Sequence, residues 1–542
     1  MSIPLLPVIA LITIILTLPS LFRLLLSSLR PVAYPPGPTP LPIIGNLHQL
    51  PITKSFLTFT AWSKTALGPV LGLKVGPTNL VVLNHSSAVR HLLQENSAAL
   101  SARPRLPVVA KYVFPHDKNH PLWSDAEHHT LMRRALIHHT SAAGISEAGP
   151  LIRAFAGRLA KDLLFPEAGG ADGFNEALHT WAYDIALAVL YGRTTENMGS
   201  GWMLEYREAH RCFLKIIEPG VAQLVGIFPI VGWLPDWLAG GWKKDAERAR
   251  RGFEGAYGRL VRDSKKGVGS REGGYESLVA RHYRESEEKR KAGSKEARLS
   301  ERDIELIAGS TLDAAAGTVL SAMLFLVQAM AKYPGVQRRA QAEIDEVWTR
   351  DGIPSEVEIA KLPYVSACVL EVLRWRPPIP LSVPRMCLTD QTVDGYHIPA
   401  GTTIVTNVWA LQHDGDAYDR PSVFEPERFL RNPLGTKGSG DGNGGSHGRK
   451  QPLQAFGVGR RACPGDQLAL YQLRVTIAVL LWGYDIVAEG ELDCSPETGM
   501  LEGLAVTPSP FGVKFVLRDE EVRQRLLDEY QGANKMLASI LG

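Results

Sequence analysis

Cysteine is scarce in this chain: there are five in 542 residues, Cys212, Cys368, Cys387, Cys463 and Cys494, and no two of them form a C-x-x-C pair. An odd, scattered set argues against a disulfide framework and a paired-cysteine zinc site, and it suits a reducing compartment. An excess of charge of one sign is also missing. Against 59 lysines and arginines stand 56 aspartates and glutamates, a net charge of +3, so no basic field points to a nucleic-acid partner. No internal repeat is present, and the length does not force a division into several catalytic domains. The sharpest local absence is of any charged residue between Ile3 and Phe22. Roughly 20 residues at ~1.5 Å each reach about 30 Å, the thickness of a bilayer core, so residues 3–22 are expected to form a transmembrane anchor. Arg23 and Arg30 follow it and place the rest of the chain on the cytoplasmic side. The alternative, a cleaved signal peptide, fits less well, because the apolar run is long and no basic segment precedes it.

After the anchor, residues 31–45 hold Pro35, Pro36, Pro38, Pro40 and Pro42, a stiff, extended hinge that cannot continue a helix. Leu71–Pro77 and Leu80–Leu83 read as short strands of a small hairpin sheet. From about Ala88 onward helical patterns dominate. Ser300 followed by Asp303 resembles a capping box, opening one long helix that runs to Lys332. Arg281–Arg298, mostly charged or polar, reads as a solvated surface connection. The glycine- and serine-rich residues 434–450 read as a flexible surface loop. Pro219–Trp242 is strongly apolar yet interrupted by Pro229, Pro235 and Asp236. It reads as a segment dipping into a membrane interface, with Trp233, Trp237 and Trp242 at the boundary; an ordinary buried loop is the alternative.

Four patterns carry chemistry. Phe456-Gly-Val-Gly459-Arg-Arg461-Ala-Cys463-Pro-Gly465 sets a cysteine among glycines that permit positive φ and close backbone approach to a flat group; alone, it would also suit a turn with a buried free thiol. Glu371-Val-Leu-Arg374 pairs opposite charges at i, i+3, and Phe424-Glu-Pro-Glu-Arg428-Phe429 follows about fifty residues later. Two guanidiniums on one carboxylate would make a bidentate network holding distant segments together. Ala314-Ala-Ala-Gly317-Thr318 places small residues mid-helix, as close helix packing or a flat group against the helix would require. His129 and Arg133 lie four residues apart, one helical turn.

Taken together, F-x-x-G-x-R-x-C-x-G, E-x-x-R and P-E-R-F resemble the cytochrome P450 family, and the resemblance extends from the anchor to Pro508–Phe511. Ser101-Ala-Arg103-Pro104 and Asn407-Val-Trp409 are similar to fungal membrane-bound members. The resemblance implies a mainly α fold with a minor β-sheet region: a haem domain over residues 46–542 behind the anchor and hinge. It implies haem b with Cys463 as axial thiolate ligand of the iron, and Phe456, Gly459, Arg461 and Gly465 around it. Arg133 takes the place of the family's propionate-binding arginine, with His129 where a tryptophan is usual. Glu371, Arg374 and Arg428 form a structural triad. Thr318 matches the threonine that aids proton delivery during oxygen activation; the acid usually before it is replaced by Gly317, and Asp313, one turn earlier, is the candidate substitute.

The family's layout points to Phe213, Thr311, Ala315, Ile379, Val383 and Leu504 as substrate contacts. These uncharged, largely apolar positions suit a lipophilic molecule and offer no positive pocket for a phosphate or carboxylate. With no flavin-domain sequence after the cysteine loop, NADPH and flavins act through a separate cytochrome P450 reductase, with a b-type cytochrome as a further partner. The implied activity is hydroxylation of a lipophilic secondary metabolite, a terpenoid first, using O2 at the endoplasmic reticulum membrane. Desaturation, rearrangement or multi-step oxidation of a polyketide or aromatic product stays open, as does a non-catalytic haem-binding membrane protein.

Overall fold

The computed structural model describes residues 29–541 except 116, 118–119, 122, 124–125, 165–172, 218–220, 239, 266–274, 293–298, 349–354, 438–453 and 504. The anchor at 3–22, most of the 434–450 loop and Leu504 therefore lie outside the described residues. The fold is mainly helical. The helices used below are α1 (Ala126–Thr140), α2 (Ala142–Asp162), α3 (Gly173–Tyr191), α4 (Ser200–Ile217), α5 (Trp242–Lys265), α6 (Glu301–Lys332), α7 (Pro363–Trp375), α8 (Asp466–Gly483) and α9 (Glu520–Leu541).

Helix α6 is the axis of the molecule. Ser300 caps it with a reciprocal capping box: its hydroxyl accepts from the Asp303 N–H, and the Asp303 carboxylate takes the Ser300 N–H. Its 32 residues span roughly 50 Å at ~1.5 Å each. It is long and apolar enough to cross a membrane, but most of it is buried inside the protein. Val319 to Met330 are almost continuously enclosed, packing with α2, α3, α7 and α8 into the largest apolar core. A second core forms where α4 and α5 lie against each other and over the amino-terminal half of α6.

The β region is small because the strands are short. Strands β1 (Val70–Val75) and β2 (Thr78–Leu83) form an antiparallel hairpin. Strand β3 (Arg385–Met386) and strand β4 (Thr403–Thr406) complete the sheet in the order β1-β2-β4-β3, with β4 parallel to β2. This sheet brings the segment after α7 beside the amino-terminal part of the chain, and isolated pairing of Ala102 with Met386 extends that contact.

The charged stretch from Arg281 to Lys291 faces solvent and is helical: Leu278–Lys291 is a helix capped by Ser277 and laced with Arg281–Glu285, Arg284–Glu288 and Glu287–Lys291 ion pairs; i, i+4 pairs support helix in a polar sequence. One expectation needs correction. In the Pro219–Trp242 segment, Trp233 and Trp237 are more than four-fifths exposed, while Trp242 is buried against Tyr112, ring centroids 5.0 Å apart. Trp242 belongs to the start of α5 and to the core.

Candidate active site

The cysteine loop is built by a short run of turns ending at the amino terminus of α8. The Cys463 N–H donates to the Phe456 carbonyl at 2.9 Å, and the Ala462 N–H to that of Gly459 at 3.0 Å. Gly459 has φ +68°, and a Cβ there would run into the Leu93 carbonyl oxygen, so both conformation and space require glycine. Gly465 departs from expectation: its φ is −94°, and its role is to cap α8. Gly457, φ +67°, is the loop's other positive-φ residue. Enclosure by protein pushes the Cys463 thiol pKa up, opposed by the Gly465 N–H and the Arg133 guanidinium. The side chain nevertheless has accessible surface.

Four arginines converge around this loop. Arg461 is buried, its Nε donating to the Ser101 carbonyl at 2.7 Å. On α1, Arg133 donates to the Ala462 carbonyl at 2.7 Å. Arg103 donates to the Pro384 carbonyl at 3.1 Å, and Arg385, on β3, to that of Val458 at 2.5 Å. His129, one turn before Arg133, lies in the field of all four; burial and these guanidiniums push its pKa down to about 4, so at neutral pH it is an uncharged ring. Among the described residues, Arg103, Arg133 and Arg385 have no carboxylate partner, and the Arg385 Nη1 is buried without a hydrogen bond. Like charges crowded without a counter-anion cost free energy, and a dianion such as a porphyrin's two propionates matches them. Arg103 and Arg385 escape sequence reasoning because they meet only through the Ala102–Met386 pairing. Their proline neighbours, Pro104 and Pro384, are the faint sequence signal.

Helix α6 supplies a flat wall. Thr311, Ala314, Ala315 and Thr318, at i, i+3, i+4 and i+7, share one accessible face on a helix that is otherwise largely buried. The Thr318 hydroxyl donates to the Ala314 carbonyl at 2.7 Å. A Cβ added at Gly317 would meet no atom within 4 Å. Asp313 faces elsewhere: one carboxylate oxygen accepts from the Tyr257 hydroxyl at 2.7 Å and the other from Tyr206. Burial raises its pKa, countered by nearby His210 and both tyrosines. Phe213 is packed edge-on against Phe253, at 5.6 Å between centroids. Ile379 is half-buried and Val383 exposed.

The Glu371 carboxylate is buried among donors. Arg374 grips Glu371 through Nε and Nη2, both at 2.8 Å, and Arg428 Nε reaches the same carboxylate at 3.1 Å. The Glu425 N–H adds a bond at 2.8 Å. Arg374 also donates to the carbonyls of Gln412, Pro421 and Val423, tying the irregular segment before the cysteine loop to α7. Away from these positions, Lys111, Lys243 and Arg250 line one cleft, because the Val109–Val113 turn and α5, far apart in sequence, pack together.

An accessible thiol, a wall of small residues and three arginines, Arg103, Arg133 and Arg385, without carboxylate partners among the described residues fit haem, with Cys463 toward the iron and the guanidiniums toward the propionates. The comparisons agree. The family model for cytochrome P450 matches residues 35–515. The chain is 31% identical to cytochrome P450 monooxygenase grgG of a Penicillium species, covering 96% of this chain and 94% of that one. It is 29% identical to cytochrome P450 monooxygenase aneD of Aspergillus aculeatus, covering 96% of each. It is 32% identical to cytochrome P450 monooxygenase 58 of Postia placenta, covering 91% and 90%. With one family model spanning most of its length and full-length fungal monooxygenases similar to it, the chain belongs to the cytochrome P450 family and is a P450 monooxygenase.

Proposed function

We propose that the chain holds haem b through Cys463 and uses O2 and electrons from a separate NADPH-dependent reductase to hydroxylate a lipophilic secondary metabolite, a terpenoid first. The observation that carries this reading is that, among the described residues, Arg103, Arg133 and Arg385 have no carboxylate partner beside an accessible cysteine thiol. Bound through a cysteine thiolate, haem iron supplies O–O bond cleavage, because the sulfur donates electron density to it. The Gly465 N–H and the amino terminus of α8 favour the anionic sulfur. Arg103, Arg133, Arg385 and Arg461 would hold the propionates, with neutral His129 as a further hydrogen-bond donor. Thr311 and Ala315 would face substrate on the accessible side of α6, with Ile379 and Val383 entering from the segment after α7. Phe213 would act from behind, by setting how α4 packs on α5. Residues 3–22 would anchor the chain in the endoplasmic reticulum membrane, and exposed Arg460 on the cysteine side would meet an acidic flavoprotein.

A second reading concerns the outcome of the same oxygen chemistry. Gly317 offers no acid, and Asp313 is engaged by Tyr206 and Tyr257 rather than turned to Thr318. Hydroxylation and desaturation each take up two protons and two electrons with O2, so a restricted proton supply lowers coupling in both, and desaturation or rearrangement stands as an alternative outcome. Both readings are tested with membranes carrying the full chain and a fungal reductase, given NADPH, labelled O2 and terpenoid and polyketide scaffolds. Product carrying one labelled oxygen supports hydroxylation. An unlabelled product two hydrogens lighter supports desaturation, and NADPH-independent inertness across the panel in haem-loaded protein contradicts both.

A further inference from the structure

The active-site account leaves unused a cleft of about 400 Å³ between the Val109–Val113 turn and the first half of α5, lined by Lys111, Tyr112, Pro115, Lys243, Glu247 and Arg250. Its charge is unbalanced. The sole carboxylate, Glu247, is already paired with Arg251. Among the described residues Lys111 has no anionic partner, its ammonium lying 5.0 Å from the Tyr112 ring centroid. Among the described residues, Arg250 makes no hydrogen bond or ion pair there, and Lys243 donates only to the Leu234 carbonyl, at 2.9 Å. Three cations sharing a concave site repel one another and define a place for a multiply hydrogen-bonding anion such as a phosphate.

What lies beside the cleft decides where that phosphate comes from. The Lys243–Leu234 bond ties it directly to the turn carrying Ile230, Trp233, Trp237 and Leu238, all more than half exposed. Exposed tryptophans and aliphatic side chains next to unpaired cations match a bilayer interface, where rings sit at head-group depth and cations meet lipid phosphate. The same surface continues toward the segment after the proline-rich hinge: a Cβ on Gly76, in the β1–β2 turn, would press on Ile227 and Phe228 and lie 3.8 Å from the Ile43 carbonyl. A soluble phosphorylated metabolite would have no use for that apolar rim.

We propose that Lys111, Lys243 and Arg250 bind the phosphate head group of an anionic membrane lipid, with its acyl chains along Trp233 and Trp237. The inference rests on the membrane residence proposed above and adds a head-group site to it. The lipid phosphate is held by the two ammonium groups and the guanidinium, while Tyr112 supplies a hydroxyl and an aromatic wall. Occupation pins the turn before α5, and so the α4–α5 pair that covers α6, at a fixed depth on the membrane.

The test uses the full chain, haem-loaded, in nanodiscs of phosphatidylcholine with one-tenth phosphatidylglycerol, reading by native mass spectrometry the lipids retained as the disc is stripped. Incorporation into discs tests membrane residence separately, and head-group choice tests the site. The wild type is expected to retain phosphatidylglycerol at least roughly tenfold over its share, since about fivefold per cation would give on the order of a hundredfold for three cations before screening. Lys111→Gln, Lys243→Gln and Arg250→Gln combined should abolish the preference and leave the haem absorption spectrum intact. Lys514→Gln, removing an exposed cation on the distant Val513–Leu517 strand, should preserve it. Retention in proportion to composition by the wild type, or a preference that survives the triple substitution, would overturn the proposal. So would loss of the preference to a few millimolar inorganic phosphate, which would mark a site for free phosphate.

Discussion

Arg374→Lys keeps the positive charge and most of the volume, so it isolates the value of the guanidinium's shape. Arg374 is fully buried and makes five hydrogen bonds: two to Glu371, one each to the carbonyls of Gln412, Pro421 and Val423. A lysine ammonium has three donors. Glu371 keeps its bonds from the Glu425 N–H and Arg428, so at least one buried acceptor is left unmet, a loss of about 1–3 kcal/mol. The total stability of a domain is about 5–15 kcal/mol, and the carbonyls concerned belong to the segment leading to Cys463. The variant is expected to unfold at lower urea and to release haem before global unfolding. The assay is a urea titration followed both by far-ultraviolet circular dichroism and by haem absorption. Arg339→Lys, at an exposed pair with Glu427, is the control and should fall within ~0.5 kcal/mol of the wild type. If Arg374→Lys matched that control in both signals, the reasoning that planar bidentate geometry holds the segment would be refuted.

Four further outcomes follow from the same geometry. Gly459→Ala should lose haem retention and cost more than ~1 kcal/mol, since positive φ and the Leu93 carbonyl both oppose a Cβ; binding equal to wild type in a hemin titration would contradict this. Gly317→Asp should fold normally, because a Cβ there meets nothing, and should raise product formed per NADPH consumed if proton supply limits coupling. Asp313→Asn should leave that ratio unchanged while lowering thermal stability by about 1 kcal/mol through its tyrosine bonds; a collapse in coupling with stability intact would reverse the assignment. His120 is buried between Phe114 and Trp123, and burial, outweighing Asp117, pushes its pKa down to about 3. Below its unfolded value of about 6.5 only the unfolded chain takes up the proton, so stability falls with pH from there toward 3, by about 2 kcal/mol between pH 7 and 5. His120→Phe should flatten that slope in melts across pH.

The legible parts of the sequence were those where function needs a fixed local spacing. The cysteine loop, the Glu371–Arg374 turn of helix and the capping box at Ser300 each lie within ten residues, so residue type and interval carry them. Features that depend on remote segments meeting were not legible. Arg103 and Arg385 join Arg461 only because the chain after α7 pairs beside Ala102. Lys111 and Arg250 share a cleft only because the Val109–Val113 turn packs on α5. Asp313 illustrates the same limit in reverse: helical periodicity placed it one turn from Gly317, but the tyrosines that determine its orientation come from α4 and α5. Gly465 shows that a glycine in a motif can serve as a helix cap at negative φ, with no positive-φ demand.

The most direct test of the account is the reduced carbon monoxide spectrum of the full-length chain, wild type against Cys463→His. The account predicts the long-wavelength thiolate band for the wild type and its replacement by the shorter-wavelength, histidine-type band in the variant, with haem still bound among the same arginines. A wild type lacking the thiolate band, or a Cys463→His variant that keeps it, would contradict the assignment of Cys463 as the iron ligand.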